Sequence, residues 1–287
     1  MKIVRFLGGL GNQMFQYAFY KALSQQFKVV KADLRSFTNY ALHNGFELEK
    51  IFPIKLKHAI PFEINLLDHQ NRRWKYRKLR RLLFVKGEYY EEKHLFSYNA
   101  SLFDDLASKL YWGYWQHIQY VNRVADQLRK DFVFDLPASS RNLDILQELK
   151  IEKESIAIHV RRGDYLTDPY LGGLVDVEYF EKGIALVRER LKNPKFYIFS
   201  DDIPWCKQYL NLQEAVFVDW NKGNESYRDM QLMSYCKHAV ISNSSFSWWG
   251  AWLNSNPNKI VVVPKVWCRS SNVTDTKQMH PSEWIKL

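Results

Sequence analysis

The stretch Ile156-Ala-Ile-His-Val-Arg-Arg-Gly-Asp-Tyr165 joins a short apolar run to a polar cluster that follows it directly. Four more apolar runs follow along the chain, at residues 196–199, 216–218, 239–241 and 260–263. Short continuous apolar runs are typical of parallel strands that are buried on both faces. Helical patterns near residues 178–191, 225–236 and 246–253 separate several of these runs, and the carboxyl half is therefore predicted to be an α/β unit.

The amino terminus shows the same alternation. Strand-like residues 2–7 lead into Gly8-Gly-Leu-Gly-Asn-Gln13, a helical pattern continues to residue 27, and a second strand is expected at 29–33. This order predicts a βαβ opening. The glycines, Gly11 among them, indicate either a tight turn or a loop whose backbone approaches a ligand, with the amides of Asn12 and Gln13 presented to that ligand.

A dinucleotide-binding fingerprint is incomplete in this loop. It would place a glycine at position 14, where the chain has Met14, although Asp33 lies about twenty residues further on, as such folds require. A nicotinamide-dependent oxidoreductase is therefore an alternative that the loop leaves open, and binding of the cofactor would separate it from the other functions considered below.

The length of 287 residues suits two α/β domains better than one. We expect an amino-terminal lobe over residues 1–150 and a carboxyl-terminal lobe over 151–287, with the crossing at 137–154 and a ligand-binding cleft between the lobes. An amphipathic helix is predicted at 122–132. The periodicity of residues 41–108 is too weak to assign their elements.

Composition narrows the class of protein. A hydrophobic content of 46 % and an aromatic content of 16 % supply large cores and exclude a disordered chain. The net charge of +10 favours anionic partners such as phosphates, nucleic acid or acidic lipid. The three cysteines, Cys206, Cys236 and Cys268, are widely spaced and predict neither a disulfide framework nor a zinc site. Since no signal-peptide pattern or membrane-length apolar run is found, we expect a cytoplasmic protein.

The polar cluster after residue 160 suggests a site for a diphosphate. Arg161 and Arg162 follow a predicted strand, beside His159 and Asp164, and a guanidinium group pairs bidentately with phosphate. Side chains alternate along a strand, so His159 and Arg161 are expected on one face. The alternative is a structural ion pair between Arg162 and Asp164.

Two further strand ends carry polar residues. Asn243, Ser244, Ser245 and Ser247 lie between a predicted strand and an apolar helix, where free backbone N–H groups bind phosphate. Helix capping would account for one of these residues but not for all four.

Paired carboxylates, Asp201 and Asp202, follow another strand and suit the hydroxyls of a ribose or the edge of a guanine. A helix N-cap before Pro204 is the alternative for this pair.

The segment 72–81 carries seven Lys or Arg residues interleaved with Trp74, Tyr76 and Leu79. It is compatible with peripheral contact to an acidic membrane surface at the inner face of the membrane, and with a solvated helix face. No nucleic-acid-binding module accompanies it. The sequence also has no Asp-x-Asp motif of the kind that binds a divalent metal ion, so we assign no metal.

Taken together and in order, these segments resemble the α-1,2-fucosyltransferase family. The resemblance covers Gly8-Gly-Leu-Gly-Asn-Gln-Met-Phe-Gln-Tyr17, the stretch from His159 to Tyr165, and Ser242-Asn-Ser-Ser-Phe-Ser-Trp-Trp-Gly-Ala-Trp252. Gly113-Tyr-Trp-Gln116 with Tyr120, and Asp229-x-x-Leu-Met-x-x-Cys236, are also similar. The likeness runs from residue 3 to about residue 265, with no departure within the motifs.

This resemblance implies a GT-B fold of two Rossmann-like lobes and an inverting transfer of fucose from GDP-fucose to a galactose hydroxyl, without a metal or other cofactor. It implies that Arg161 meets the β-phosphate, that His159 and one of Asp201 or Asp202 lie near the nucleoside, and that Asn12 faces the reacting centre. Ser244, Ser245 and Ser247 would complete the phosphate cradle. Asp164 is the candidate base, and lactose or a lipopolysaccharide repeat unit is the expected kind of acceptor.

Two other functions fit part of the pattern. Another GDP-sugar transferase, such as an O-fucosyltransferase, would share the arginine and serine segments. A glycan-binding module would explain the aromatic residues and the charge but not the predicted diphosphate site, and it would bind glycan without affinity for GDP.

Overall fold

The computed structural model describes residues 1–38, 43–85, 88–270 and 279–287. These residues form two compact units, Met1–Val133 and Phe134–Leu287. Each unit contains a parallel β-sheet with helices connecting its strands, as the alternating patterns predict. Among the described helices none is long and apolar enough to cross a membrane.

In the described part of the first unit, four parallel strands lie in the order β2-β1-β4-β3. They are β1 (Lys2–Arg5), β2 (Val30–Asp33), β3 (Tyr89–Glu91) and β4 (Lys109–Trp112). The helices are α1 (Leu10–Gln26), α2 (Leu48–Ile51), α3 (Pro61–Leu67), α4 (Trp74–Leu82), α5 (Ile118–Asn122) and α6 (Ala125–Asp131).

In the second unit, six parallel strands of the described chain lie in the order β10-β9-β8-β5-β6-β7. They are β5 (Ser155–Val160), β6 (Lys195–Ser200), β7 (Val216–Val218), β8 (His238–Ile241), β9 (Val261–Val263) and β10 (Ile285–Lys286). The helices are α7 (Ser140–Ile151), α8 (Val177–Arg190), α9 (Ile203–Tyr209), α10 (Tyr227–Tyr235) and α11 (Ser245–Leu253).

The centre of the second sheet is buried on both faces. Every residue of β5 and of β8 is buried, which agrees with the continuous apolar runs in the sequence. Ile158 lies opposite Ile198 of β6 on one side and Val240 of β8 on the other. The strand that carries the predicted diphosphate site therefore lies between two neighbours in the interior of its sheet.

Helix α1 is buried over most of its length, and its polar residues are held by the first unit itself. Gln16 accepts a hydrogen bond from the backbone of Leu7 at 3.0 Å and donates one to the carbonyl of Gly113 at 3.1 Å. Phe19 stacks on Trp115, with ring centroids 4.0 Å apart. The middle of α1 is thereby fixed to the loop that follows β4.

Two sequence-based boundaries are shifted in the structure. The helix expected at 122–132 forms only over Ala125–Asp131, and α5 precedes it. The division expected after residue 150 lies after Val133 instead, because residues 140–151 form α7, which packs against α10. Asn142 of α7 also donates to Asn221 at 2.7 Å, so this helix belongs to the second unit.

Gly183 of α8 provides a test of the packing between helix and sheet. A Cβ added there would lie 2.7 Å from Cγ1 of Val240 on β8. Glycine to alanine in an exposed helix stabilises by roughly 1 kcal/mol, whereas overpacking a core costs about 1–3 kcal/mol. We therefore expect Gly183→Ala to lower the free energy of unfolding in a denaturant titration.

Val240→Ala is the matched background for this test, because it removes the methyl group that the new Cβ would meet. In that background Gly183→Ala should be neutral or stabilising. An equal loss of stability in both backgrounds would show that contact with Val240 is not the cause.

Candidate active site

The polar residues predicted after three of the strands meet at one edge of the second sheet. Strands β8, β5 and β6 are adjacent and parallel, so their carboxyl ends lie side by side. In open parallel sheets this edge is where ligands bind. The structure thus brings together residues that lie far apart in the sequence, namely His159, Arg161, Arg162, Asp201, Asp202, Asn243, Ser244, Ser245 and Ser247.

Two arginines after β5 form ion pairs with carboxylates. The guanidinium of Arg161 lies 2.7 Å from Oδ1 of Asp164 and 3.1 Å from Oδ2 of Asp201. Nε of Arg162 donates to Oδ2 of Asp202 at 3.0 Å. The ion pair predicted between Arg162 and Asp164 is therefore wrong, because Arg162 extends toward the end of β6 instead.

The arginine side chains retain the capacity to bind an anion. The ion pairs of Arg161 engage two of its nitrogens, whereas a guanidinium carries five N–H donors. Arg161 is partly exposed, and the guanidinium of Arg162 lies 4.3 Å from the ring centroid of Trp205. Both positive charges are thus held in place at a surface that a phosphate can reach.

Gly163 allows the chain to leave β5 beside these groups. A Cβ at this position would lie 2.7 Å from Oδ2 of Asp201, the oxygen that pairs with Arg161. The backbone amide of Arg162 also donates to Oδ1 of Asp201 at 2.9 Å. Asp201 therefore fixes both the path of this loop and the direction of the Arg161 side chain.

His159 is a buried, uncharged hydrogen-bonding group. Its Nδ1 lies 3.1 Å from Oγ of Ser242, which joins β5 to β8, and its ring lies 5.8 Å from that of Phe246. Burial lowers the pKa of His159 far below its usual range, an effect that the charge of Asp201 opposes and that of Arg161 reinforces. The imidazole is neutral at physiological pH and offers one donor and one acceptor.

The polar residues at the junction of β8 and α11 divide into buried and partly exposed groups. Asn243 is buried, and its amide donates to the carbonyls of Leu171 and Trp267 at 3.1 and 3.2 Å. It therefore holds two loops and does not cap α11. Ser247 is also buried and donates to the carbonyl of Ser244 at 3.1 Å, whereas Ser245 is partly exposed at the start of the helix.

Asp202 is the N-cap of α9. Its Oδ1 accepts a hydrogen bond from the backbone amide of Trp205 at 3.1 Å, and Pro204 lies in the first turn. The capping alternative is confirmed for Asp202, whose other oxygen binds Arg162. Asp201 makes its contacts with the two arginines.

Asn12 and Gln13 belong to the first unit and differ in burial. Gln13 is fully buried and donates to the carbonyls of Gly8 and Gly45 at 2.9 and 2.8 Å. Its oxygen accepts from the backbone of Glu47 at 2.9 Å, so its amide holds the loop together and is not presented to a ligand, contrary to expectation. Asn12 is partly exposed, whereas Gly11 is buried in α1.

Asp33 does not have the surroundings of a ribose-binding carboxylate. It is fully buried and forms ion pairs with Arg5 at 2.9 Å and Arg35 at 3.0 Å. Burial alone would raise the pKa of Asp33, but the hydrogen bonds and charges of Arg35 and Arg5 hold that pKa below its usual range. With Met14 in place of glycine as well, the structure disfavours the nicotinamide alternative.

Two polar residues at the end of the first sheet were not among the predicted site residues. Gln116 donates from Nε2 to Oδ1 of Asn12 at 2.7 Å. Glu92, in the segment of weak periodicity, accepts from the backbone amides of Tyr114 and Trp115 at 2.7 and 3.1 Å, and its Oε1 is buried without a partner. Glu92 directly follows β3, but this strand is only three residues long and leaves no pattern in the sequence that would have revealed a strand end there.

Burial raises the pKa of Glu92 to about 7, despite the two backbone hydrogen bonds that oppose this shift.

The described side chains also bear on whether the protein could bind a metal ion. In the part of the chain that the structure describes, no group of three or more His, Cys, Asp or Glu side chains is arranged to hold a metal ion.

Comparison with solved structures defines the class of fold. The crystal structure of NodZ α-1,6-fucosyltransferase soaked with GDP-fucose aligns with 90 % of this chain and 96 % of its own, at a TM-score of 0.51 and 15 % sequence identity. That likeness is one of fold. The two parallel α/β units have the GT-B fold.

The sequence identifies the family within that class. The family described as "Glycosyl transferase family 11" matches residues 1–287, and the chain belongs to it. An "Alpha-1,2-colitosyltransferase" of Escherichia coli is 32 % identical over 99 % of this chain and 98 % of its own length. A "Galactoside 2-alpha-L-fucosyltransferase SEC1" of Bos taurus is 26 % identical, covering 86 % of this chain and 62 % of its own.

Glu92 generates a prediction of pH-dependent stability. Its pKa is 4.5 in the unfolded chain and about 7 in the folded one. Stability is therefore lost as the pH rises from 4.5 to 7, by up to about 3 kcal/mol. Glu92→Gln abolishes this ionisation. As the pH is raised from 4 to 8, the free energy of unfolding of the variant should therefore increase relative to that of the unmodified protein.

Glu91→Gln is the matched control, because Glu91 is the exposed neighbour of Glu92. Denaturant titrations at several pH values should show a rising difference for Glu92→Gln and a flat one for Glu91→Gln. A flat difference for both variants would contradict the burial of an ionisable carboxyl at residue 92.

Proposed function

We propose that the protein transfers L-fucose from GDP-β-L-fucose to the 2-hydroxyl of a terminal β-galactose, with inversion and without a metal ion. The observation that carries this proposal is the pair of arginines held by carboxylates at the carboxyl end of β5. The fucosyl donor and the galactose acceptor are supported by the resemblance of the motifs and by the name of the Bos taurus relative. The α-1,2 linkage is common to the names of both relatives.

In this proposal the second unit binds GDP. Arg161 binds the β-phosphate and Arg162 stands beside it, because a guanidinium matches the geometry of phosphate oxygens. The first backbone amides of α11, with Ser245 at its start, complete the phosphate site. The buried Ser244 and Ser247 support this turn, and His159 with Asp201 or Asp202 lies toward the nucleoside.

The chemical role of Arg161 follows from the leaving group. As the glycosidic bond breaks, negative charge grows on the β-phosphate of GDP, and a guanidinium already in position stabilises it without reorganisation. The sugar carbon becomes oxocarbenium-like, and the acceptor hydroxyl attacks the face opposite to the leaving group. This attack turns a β-linked donor into an α-linked product.

The first unit is proposed to bind the acceptor. The partly exposed Asn12 is oriented by Gln116, and it is the residue that we place at the reacting centre. The surrounding loops hold it through the buried amides of Gln13 and Gln16. The reaction is proposed to take place in the cytoplasm, a reducing compartment in which buried cysteines such as Cys206, Cys236 and Cys268 stay as thiols.

GDP-colitose is the second candidate for the donor, because the Escherichia coli relative is named as a colitosyltransferase. Colitose is the 3-deoxy analogue of fucose, so the two donors differ by one hydroxyl of the sugar. A site that hydrogen-bonds this hydroxyl rejects the analogue that lacks it, whereas an apolar site discriminates weakly. Competition between the two donors for one acceptor would therefore decide the assignment.

The proposed function is tested by mixing purified protein with GDP-fucose and lactose in EDTA, followed by linkage analysis of the product. An α-1,2-fucosylated product with release of GDP is expected. If product forms only when GDP-colitose replaces GDP-fucose, the proposed donor is wrong. If nothing forms, GDP binding separates two cases: binding leaves the acceptor wrong, whereas glycan binding without GDP binding supports a lectin-like module.

Arg161→Ala should lower turnover by at least ~10², since the variant lacks the charge that stabilises the leaving group. Arg161→Lys keeps the charge but loses bidentate geometry, so it should recover only part of the activity. Arg190→Ala, which changes an exposed arginine of the same unit, is the control. Near-normal turnover of a folded Arg161→Ala variant would refute the assigned role.

Asp164→Asn separates two roles for this carboxylate. A general base contributes typically 10²–10⁴-fold to the rate, whereas a partner that only orients Arg161 contributes less. Since Asp164 lies 2.7 Å from the Arg161 guanidinium, we expect turnover to fall by less than ~10² and GDP affinity to change with it. A larger loss of turnover with unchanged GDP affinity would establish Asp164 as the base.

A further inference from the structure

Helix α4 and the turn after it combine a high positive charge with exposed apolar side chains. Residues 72–81 contain seven Lys or Arg residues, and no Asp or Glu occurs between Asp68 and Glu88. The surface formed by residues 72–84 is called the basic surface below. Neither the fold nor the proposed transfer reaction accounts for it.

One face of α4 is hydrogen-bonded to other residues of the first unit. The hydroxyl of Tyr76 accepts a hydrogen bond from Nδ2 of Asn65 at 3.3 Å. Arg80 donates to the backbone carbonyls of Asp68 and Asn71, both at 2.8 Å. These contacts fix the orientation of the helix, and they place Arg80 outside the set of arginines available to a partner.

The opposite face of α4 is open to solvent. Trp74 is 74 % exposed and Leu82 is 72 % exposed. Lys78 lies between them at the spacing that places side chains on one helix face, and Arg81 is adjacent. Apolar and cationic side chains thus alternate on one outward surface.

Phe84 follows the helix in a position that fold stability does not explain. Its φ is 50°, and the amides of Phe84 and Val85 donate to the carbonyls of Arg81 and Arg80, at 3.4 and 3.0 Å. This is the Schellman arrangement, in which the left-handed residue is usually glycine because a side chain there is strained. Here the residue is an aromatic that is 95 % exposed.

We propose that the basic surface binds peripherally to a lipid bilayer that carries anionic headgroups. Lys75, Arg77, Lys78 and Arg81 would meet the headgroup phosphates, while Trp74, Leu82, Leu83 and Phe84 enter the boundary between headgroups and acyl chains. Interfacial helices are rich in Lys or Arg together with Trp, Phe or Leu. Charge complementarity and apolar exposure therefore point to the same partner.

A nucleic acid would satisfy the charges but not the aliphatic side chains. Phosphodiester groups and bases pair with arginine and stack on aromatic rings. They offer no environment for Leu82 and Leu83, which lie exposed between Arg81 and Phe84. The observations therefore favour the bilayer, and nucleic-acid binding becomes an outcome of the test.

The test is flotation of the full chain with vesicles of neutral phosphatidylcholine, alone or mixed with anionic phosphatidylglycerol. Binding is expected only to the anionic vesicles, and it should weaken as salt is raised because exposed charges are screened. Equal binding to neutral vesicles, or no binding to anionic vesicles at low salt, would overturn the proposal.

The variant Phe84→Gly tests insertion of the aromatic ring without destabilising the fold. Glycine suits the left-handed position, so the thermal unfolding midpoint should be unchanged or raised. Removal of the inserted ring should weaken vesicle binding at least roughly tenfold. Leu136→Gly, which changes an exposed leucine of the second unit, is the control and should bind vesicles normally. Unchanged binding by Phe84→Gly would contradict insertion.

The contribution of the positive charges is tested by the double variant Lys78→Glu with Arg81→Glu. Each basic residue near an anionic surface contributes roughly fivefold to binding, so the double variant should bind at least roughly 25-fold more weakly. Lys150→Glu with Lys222→Glu makes the same change in net charge on exposed residues of the second unit. Equal losses in the two double variants would mean that net charge alone, and not this surface, attracts the bilayer.

Two other partners have distinct signatures. Binding of a single-stranded oligonucleotide that Lys78→Glu with Arg81→Glu abolishes, without vesicle binding, would assign the surface to nucleic acid. A dimer in solution that Phe84→Gly converts to a monomer, again without vesicle binding, would assign it to a second copy of the chain. Either result would overturn the proposal.

Discussion

Because β5 pairs in parallel with β6 on one side and with β8 on the other, three segments that are far apart in the sequence end at one edge of the second sheet. The candidate site depends on this constraint. Arg161 reaches Asp201 after β6, and His159 reaches Ser242 at the end of β8. These contacts cross between strands and hold the loops in position.

The electrostatic arrangement at this edge suits a ligand that brings negative charge. Each arginine is held by at least one carboxylate, so its position is set before a ligand arrives. Arg161 lies between two carboxylates but engages them through only part of its donor set. Preorganised charge of this kind stabilises a developing phosphate charge without a cost for reorientation during the reaction.

Strands β5 to β9 of the second sheet and helix α1 could be predicted because buried parallel strands and glycine loops leave strong local patterns, whereas the two-residue strand β10 was not predicted. The boundary between the two units and the short elements of the first unit were harder to predict. The sequence predicts a crossing between the two lobes at residues 137–154, where the structure has helix α7. Only the packing of α7 against α10 shows that this helix belongs to the second unit. In residues 41–108 the strand β3 is only three residues long, too short to produce a periodic pattern.

Site residues were predicted by type and strand position, and that signal could not separate ligand-facing groups from supporting ones. Gln13 and Asn243 are polar and adjacent to glycine or serine loops, yet both amides are bound to backbone carbonyls of the protein. Glu92 was missed because its two partners, the amides of Tyr114 and Trp115, are distant in sequence. Such pairings depend on tertiary packing that no local pattern encodes.

Binding of the donor nucleotide at the carboxyl edge of the second sheet can be tested by a crystal structure of the protein with GDP in EDTA. In that structure the β-phosphate should lie within hydrogen-bonding distance of Arg161 and of the first amides of α11. A diphosphate bound instead at the glycine loop before α1, with Arg161 still paired only to Asp164 and Asp201, would contradict it.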